Sequence, residues 1–176
     1  MVTKAPRNVL RQRAWTDEQL QRAGFRHFPP VKRLTMARAM LQTEKVAVSL
    51  EVLKARTGDM MCYTPGDILY KSLDDYDHWP VKTDIFKATY KAWDEPDWTP
   101  SPTERFLMQQ GCKPYYKWKG IWALRLPINI YIQSLESEGP VIVPRGYWLA
   151  VGAQGEPYHM TDADIRQRYV LLDAAV

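Results

Sequence analysis

Two stretches of equal length, residues 60–90 and 139–169, carry the same punctuation, and any fold of this chain has to accommodate both. Set side by side without a gap, Cys62-Tyr63 meets Val141-Ile142, Pro65 meets Pro144, and Ile68-Leu69 meets Tyr147-Trp148. Further on, Trp79 meets Tyr158, Val81 meets Met160, Phe86 meets Ile165 and Tyr90 meets Tyr169. Each stretch reads as a short apolar strand, a proline-marked turn, a second strand (from Ile68 in the first copy), a loop and a helix. Thr83 is the expected cap of the first helix, and Asp162 or Thr161 of the second. Apolar pairs four residues apart, Phe86 with Tyr90 and Ile165 with Tyr169, give each helix one face to bury.

The rest of the chain lines up around this pair. Thr16 and Gln19 form a capping-box pattern that Gly24 closes, and Ser101, Pro102 and Glu104 form another that Gly111 closes. Leu20 and Leu107, Gly24 and Gly111, and Phe28 and Tyr115 recur at one constant offset. Residues 34–40 and 120–126 have strand chemistry, although the first is also compatible with a helix. Val46, Val48 and Leu50 alternate, as do Ile128, Ile130 and Ile132, and extra residues sit between the early strand and Met60.

The fold expected from this pattern is α+β, a tandem duplication. Each half carries a short capped helix, a small antiparallel β-sheet with a hairpin, and a second short helix. The boundaries are residues 1–91 for the first half, with a basic leader over 1–14, and 103–176 for the second. Residues 92–102, with three prolines and two tryptophans, form a stiff connector. Each half alone is near the size where cores become marginal, so the two are expected to form one compact body.

Composition narrows the class. A hydrophobic fraction of 45% and a charged fraction of 25% suit a packed core and argue against disorder. The only cysteines, Cys62 and Cys112, form neither a CxxC motif nor a disulfide framework. The N-terminus lacks the apolar run of a secretory signal, and no stretch approaches the roughly 20 apolar residues of a membrane span. The expectation is a soluble, cytoplasmic protein with no membrane partner. Residues 1–40 hold nine bases, Lys4 and Arg7 among them, against Asp17 and Glu18, an imbalance that suits either an acidic partner or the acidic remainder of the chain.

Chemistry-bearing patterns are few. Asp74, Asp75, Asp77 and His78 fall in one short loop but lack the glycine and terminal glutamate of a calcium loop. His27, His78 and His159 have no zinc-ligand spacing, and Cys62 lies in an apolar strand where a buried thiol is the commoner outcome. Residues 114–120 interleave aromatics with lysines, as single-strand binders do. The simpler alternative is a strand with one aromatic face inside and its lysines outside. No phosphate-cradling loop and no nucleophile elbow is present. Catalytic residues, metal ligands and cofactors are therefore not expected.

Pro65-Gly66-Asp67, then Trp79-Pro80-Val81, Asp84-Ile85-Phe86 and Tyr90, resemble the small bacterial and phage family named for its PGDYG motif. The second copy resembles it through Pro144, residues 146–149, Gly155-Glu156-Pro157-Tyr158, Ile165 and Tyr169. Ile68 stands where the name motif has tyrosine, and Arg145 breaks the Pro-Gly pair of the second copy. The resemblance covers only this part of each half and implies no activity and no catalytic residues. The function expected is a non-enzymatic binding or interaction module. Its surface is built from Tyr63, Asp74, Asp75, Asp77, His78, Trp79, Trp148 and Tyr158, with an unidentified protein or small molecule as partner. Two alternatives stand beside it: a nucleic-acid binder using the first 40 residues, and a small-molecule enzyme with a site between the halves.

Overall fold

The computed structural model describes residues 8–171. The chain begins with β1 (Val9–Leu10), α1 (Asp17–Arg22), β2 (Arg26–Phe28), β3 (Thr35–Ala39), β4 (Glu44–Val48), β5 (Glu51–Ala55) and β6 (Met60–Tyr63). After a 3-10 turn at Leu73–Asp75 come β7 (His78–Val81), α2 (Thr83–Thr89), β8 (Tyr90–Ala92), α3 (Pro102–Gln109) and β9 (Lys113–Lys117). The last elements are β10 (Ile121–Arg125), β11 (Ile130–Ile132), β12 (Val141–Val143), β13 (Trp148–Val151), β14 (Pro157–Met160) and α4 (Asp162–Arg168).

Both capping boxes form. Thr16 accepts from the Gln19 N–H while the Gln19 side chain accepts from the Thr16 N–H, and Ser101 and Glu104 do the same. Thr161 caps α4 by accepting from the Asp164 N–H at 3.1 Å. Thr83 caps nothing, because the helix it opens starts after Lys82 and its hydroxyl donates to the Gly58 carbonyl.

The α+β tandem duplication of helix-capped halves does not form. The described residues are sheet-rich, with four sheets and four α-helices of six to eight residues. The chain also divides into two compact units that interleave along the sequence. Among the described residues a terminal unit collects 8–31, Ser49–Val52 and 119–171; a middle unit collects Lys32–Val48 and Leu53–Trp118. The reason lies in strand pairing. β2 joins β10, with Phe28 opposite Ile121, and β9 joins β3, with Tyr115 opposite Thr35. Each helix–strand segment is thus taken up by strands from the other end of the chain.

In the terminal unit the main sheet has the order β14-β13-β10-β2 and is antiparallel throughout. Alternate residues point to opposite faces of a strand. Leu149 and Val151 of β13 therefore pack with Leu20 of α1 and Phe25, while Ala150 packs with Phe28 and with Ile165 of α4. A helix covers each face. A second sheet, β1-β11-β12, contributes Ile132 and Val143 to the α1 side.

In the middle unit the order is β7-β6-β3-β9-β8, again antiparallel. Met36, Met61 and Tyr63 pack with Leu107 of α3 on one face, and Ala37 and Cys62 with Phe86 of α2 on the other. A separate two-stranded sheet joins β4 and β5.

Local expectations divide between those that hold and those that change. Residues 34–40 contain the strand β3, and Val46 of β4 is buried. Ile132 is buried, but Ile128 lies outside β11 and is exposed. No strand starts at Ile68: Ile68 and Leu69 are exposed on the loop between β6 and β7. The alignment of Cys62-Tyr63 with Val141-Ile142 also fails. β12 belongs to the smaller sheet of its unit, and β13 stands between β10 and β14 as β6 stands between β3 and β7.

Candidate functional site

The residues singled out from sequence separate into two environments. In the middle unit Tyr63 is buried on β6. Its hydroxyl accepts from Arg38 Nε at 3.4 Å, and its ring stacks on His78 at 5.7 Å between centroids. Burial pushes the Tyr63 phenol above its ordinary pKa. His78 Nδ1 lies 2.6 Å from the Tyr76 carbonyl; a carbonyl only accepts, so Nδ1 carries the hydrogen. Asp74, Asp75 and Asp77 are exposed, the first two in the 3-10 turn. Trp79 lies opposite Cys62 and packs against the α2-side core.

Trp148 and Tyr158 belong to the terminal unit and pack with its α4-side core. Trp148 Nε1 donates to Asp162 at 3.0 Å, and its ring meets Phe28 edge-on at 5.8 Å. Tyr63, Trp79, Trp148 and Tyr158 thus spend much of their surface on packing. Among the described residues no group of three or more His, Cys, Asp or Glu side chains could hold a metal ion.

A buried polar cluster in the terminal unit escaped the sequence reading. Glu51 Oε2 lies 3.4 Å from His159 Nδ1, and both side chains are nearly excluded from solvent. The Ser137 hydroxyl donates to Glu51 Oε1, and the Ser134 and Ser137 hydroxyls are 2.5 Å apart. These are the residue types of a hydrolase triad, but the wiring differs. His159 Nε2 accepts from the Leu50 N–H at 3.4 Å, which places the ring hydrogen on Nδ1, toward Glu51. Both ring nitrogens are engaged, and the serine is bonded to the carboxylate rather than to the imidazole. No lone pair is available to take a proton from a nucleophile, so the arrangement is a structural network.

Neither cysteine offers a nucleophile. Cys62 and Cys112 are buried and form no disulfide, and burial pushes the Cys112 thiol up to about 11.

Aromatic and basic side chains also meet on the strand pair β8–β9, at the edge of the middle sheet. Lys91 stands opposite Tyr116, and Tyr90 opposite Lys117. Tyr115 turns inward, edge-on to Phe86 at 4.9 Å. By alternation Tyr116 and Trp118 take the other face, where Lys91 Nζ sits 4.5 Å over the Trp118 ring. The Trp93 N–H donates to the Pro114 carbonyl, extending the ladder by one residue, and its ring meets Tyr116 at 6.1 Å. Lys32 Nζ lies 4.7 Å from the Tyr116 centroid and 5.5 Å from that of Trp93. The face is therefore a row of rings and ammonium groups: Trp118, Lys91, Tyr116, Lys32 and Trp93. Trp118 is 41% exposed. Of the two readings of residues 114–120, neither anticipated this division, in which one tyrosine and a lysine face in while an aromatic pair faces out.

The basic excess of residues 1–40 is dispersed. Lys4 and Arg7 lie outside the described residues. Arg11 bonds Gln133, Arg13 covers Trp15, and Arg22 pairs with Glu18 in the terminal unit; Lys32, Arg33 and Arg38 have partners in the middle unit. The middle unit holds thirteen bases against eleven acids, too even for a polyanion-binding footprint from charge alone. Among the described residues no helix is long and apolar enough to cross a membrane. No family model matches the chain, and no curated protein or solved structure matches it.

Proposed function

We propose that this protein is a non-enzymatic interaction module whose partner is a protein docking on the outer face of β8–β9. One observation carries the reading: Trp93, Tyr116 and Trp118 line up on a single face with Lys91 and Lys32 between them. Tryptophan and tyrosine supply large apolar area at small entropic cost and dominate binding hot spots, with charged groups at the rim. The near-balanced charge of the middle unit suits a protein partner better than a polyanion. The buried thiols and the complete pairing of the Glu51–His159 cluster favour binding over catalysis. Two cysteines that form no disulfide support a reducing compartment, the cytoplasm.

The test compares recovery of partners from native cells by wild-type protein and by the Lys91→Ala/Trp118→Ala variant. The reading expects at least one protein recovered by the first and lost about tenfold or more by the second, with unchanged circular dichroism. Identical recovery by both refutes it. The alternation of rings and lysines favours one second reading, a single-stranded nucleic acid stacked on the same face. That reading requires affinity that falls steeply with added salt.

A further inference from the structure

At one end of the β8–β9 face an ammonium ion is already held. Lys32 Nζ lies 2.5 Å from Asp94 Oδ1 and 2.6 Å from Glu95 Oε1, and the Trp93 and Tyr116 rings stand on its other sides. The Tyr116 hydroxyl donates to Asp94 Oδ2 at 3.2 Å, so one wall fixes the carboxylate that the cation meets. Two π-faces with two carboxylates form the chemistry that recognises an alkylammonium group. The cation comes from outside the strand pair, since Lys32 lies in the irregular segment before β3 while the cage is built on β9 and the exit of β8. Its side chain is 42% exposed, so the cage opens to solvent. The Trp93 indole that forms one wall also has a buried Nε1 with no hydrogen-bond partner among the described residues. Buried indole N–H groups are ordinarily paired, so a donor waits here for an acceptor.

We propose that Trp93, Asp94, Glu95 and Tyr116 form a binding site for a lysine side chain of the partner protein, its ammonium free or methylated, and that Lys32 fills this site as an internal competitor. The inference rests on the reading of the β8–β9 face as a partner-binding surface and adds the chemistry of one contact to it. A neutral acylated lysine lacks the charge the carboxylates require.

The experiment uses the full chain and three small ligands, Nα-acetyl-lysine amide and its Nε-trimethylated and Nε-acetylated forms, followed by saturation-transfer NMR on the ligand resonances. Lys32→Met and Lys32→Gln both remove the competitor. A tethered ammonium competes at an effective concentration of millimolar order, so apparent affinity should rise about tenfold in both variants. It should vanish when Trp93→Ala and Tyr116→Ala are added, and the Nε-acetylated ligand should not bind. Equal affinity in wild type and both Lys32 variants overturns the proposal, as does binding that survives loss of both rings or an absence of binding throughout. Those failures leave the Trp118-dependent capture of a partner untouched, so the two readings fall separately.

Discussion

Three glycine-to-alanine replacements in the terminal unit separate backbone conformation from contact. Gly146 has φ +91° and open space where a Cβ would go, so Gly146→Ala bears only the cost of a left-handed residue, about 1–2 kcal/mol. Gly120 has no such φ, but its Cβ would fall on the Phe28 carbonyl and the His27 ring, an overpacking cost of about 1–3 kcal/mol. Gly155 combines both: φ is +76°, and the added carbon would overlap the Arg13 carbonyl, whose own N–H donates to the Gly155 carbonyl at 3.2 Å. Its loss should be the largest of the three, about 2–5 kcal/mol. At about 2–4 °C per kcal/mol for a chain of this size, Tm should fall by roughly 4–20 °C. Urea unfolding followed jointly by fluorescence and circular dichroism ranks them. If Gly155→Ala costs no more than Gly146→Ala, residue 13 does not lie against the 152–156 turn. The composition assigned to the terminal unit would then be wrong.

Further outcomes follow from buried and paired groups. Bonding to Arg166, then to Trp148, holds the Asp162 carboxylate below its ordinary pKa of 3.8. Its stabilising contribution is therefore complete above that value and is lost as pH falls through the lowered one; acid titration of Asp162→Asn should lack this component. Glu51→Ala strands the buried His159 donor and should cost about 1–3 kcal/mol, whereas Glu51→Gln should recover part of this in urea unfolding. Cys112 should resist alkylation at neutral pH and react on unfolding, as judged by mass spectrometry with and without urea; rapid native labelling would contradict its burial.

Local signals were readable because each needs only a few neighbouring residues. Thr16 with Gln19 and Ser101 with Glu104 close their boxes within one turn, and Gly24, Gly111 and Gly155 take positive φ where turns require it. Ile68-Leu69 misled because apolar character was taken for strand. The Tyr70 N–H there donates to the Tyr76 hydroxyl at 2.9 Å, so a phenol serves where a ladder was expected. Partner choice was invisible. The alternation in residues 26–28 and 113–117 marks strands but does not say that β2 takes β10 or that β9 takes β3. The Lys32 cage joins residues more than sixty positions apart, and the prolines around residues 93–95 signal only a connector. Glu51 and His159 likewise meet only through the fold.

The central claim is that the β8–β9 face is where this protein meets its partner. The most direct measurement places a photoreactive benzophenone side chain, which keeps a large aromatic surface there and leaves Lys91 intact, at position 118, and in a separate sample at position 128, and irradiates each in native cells. Ile128 is more exposed than Trp118 but belongs to the terminal unit, so it controls for accessibility. The account expects a discrete cross-linked protein from position 118 that is absent from position 128. A discrete product from position 128 with none from position 118 would contradict it.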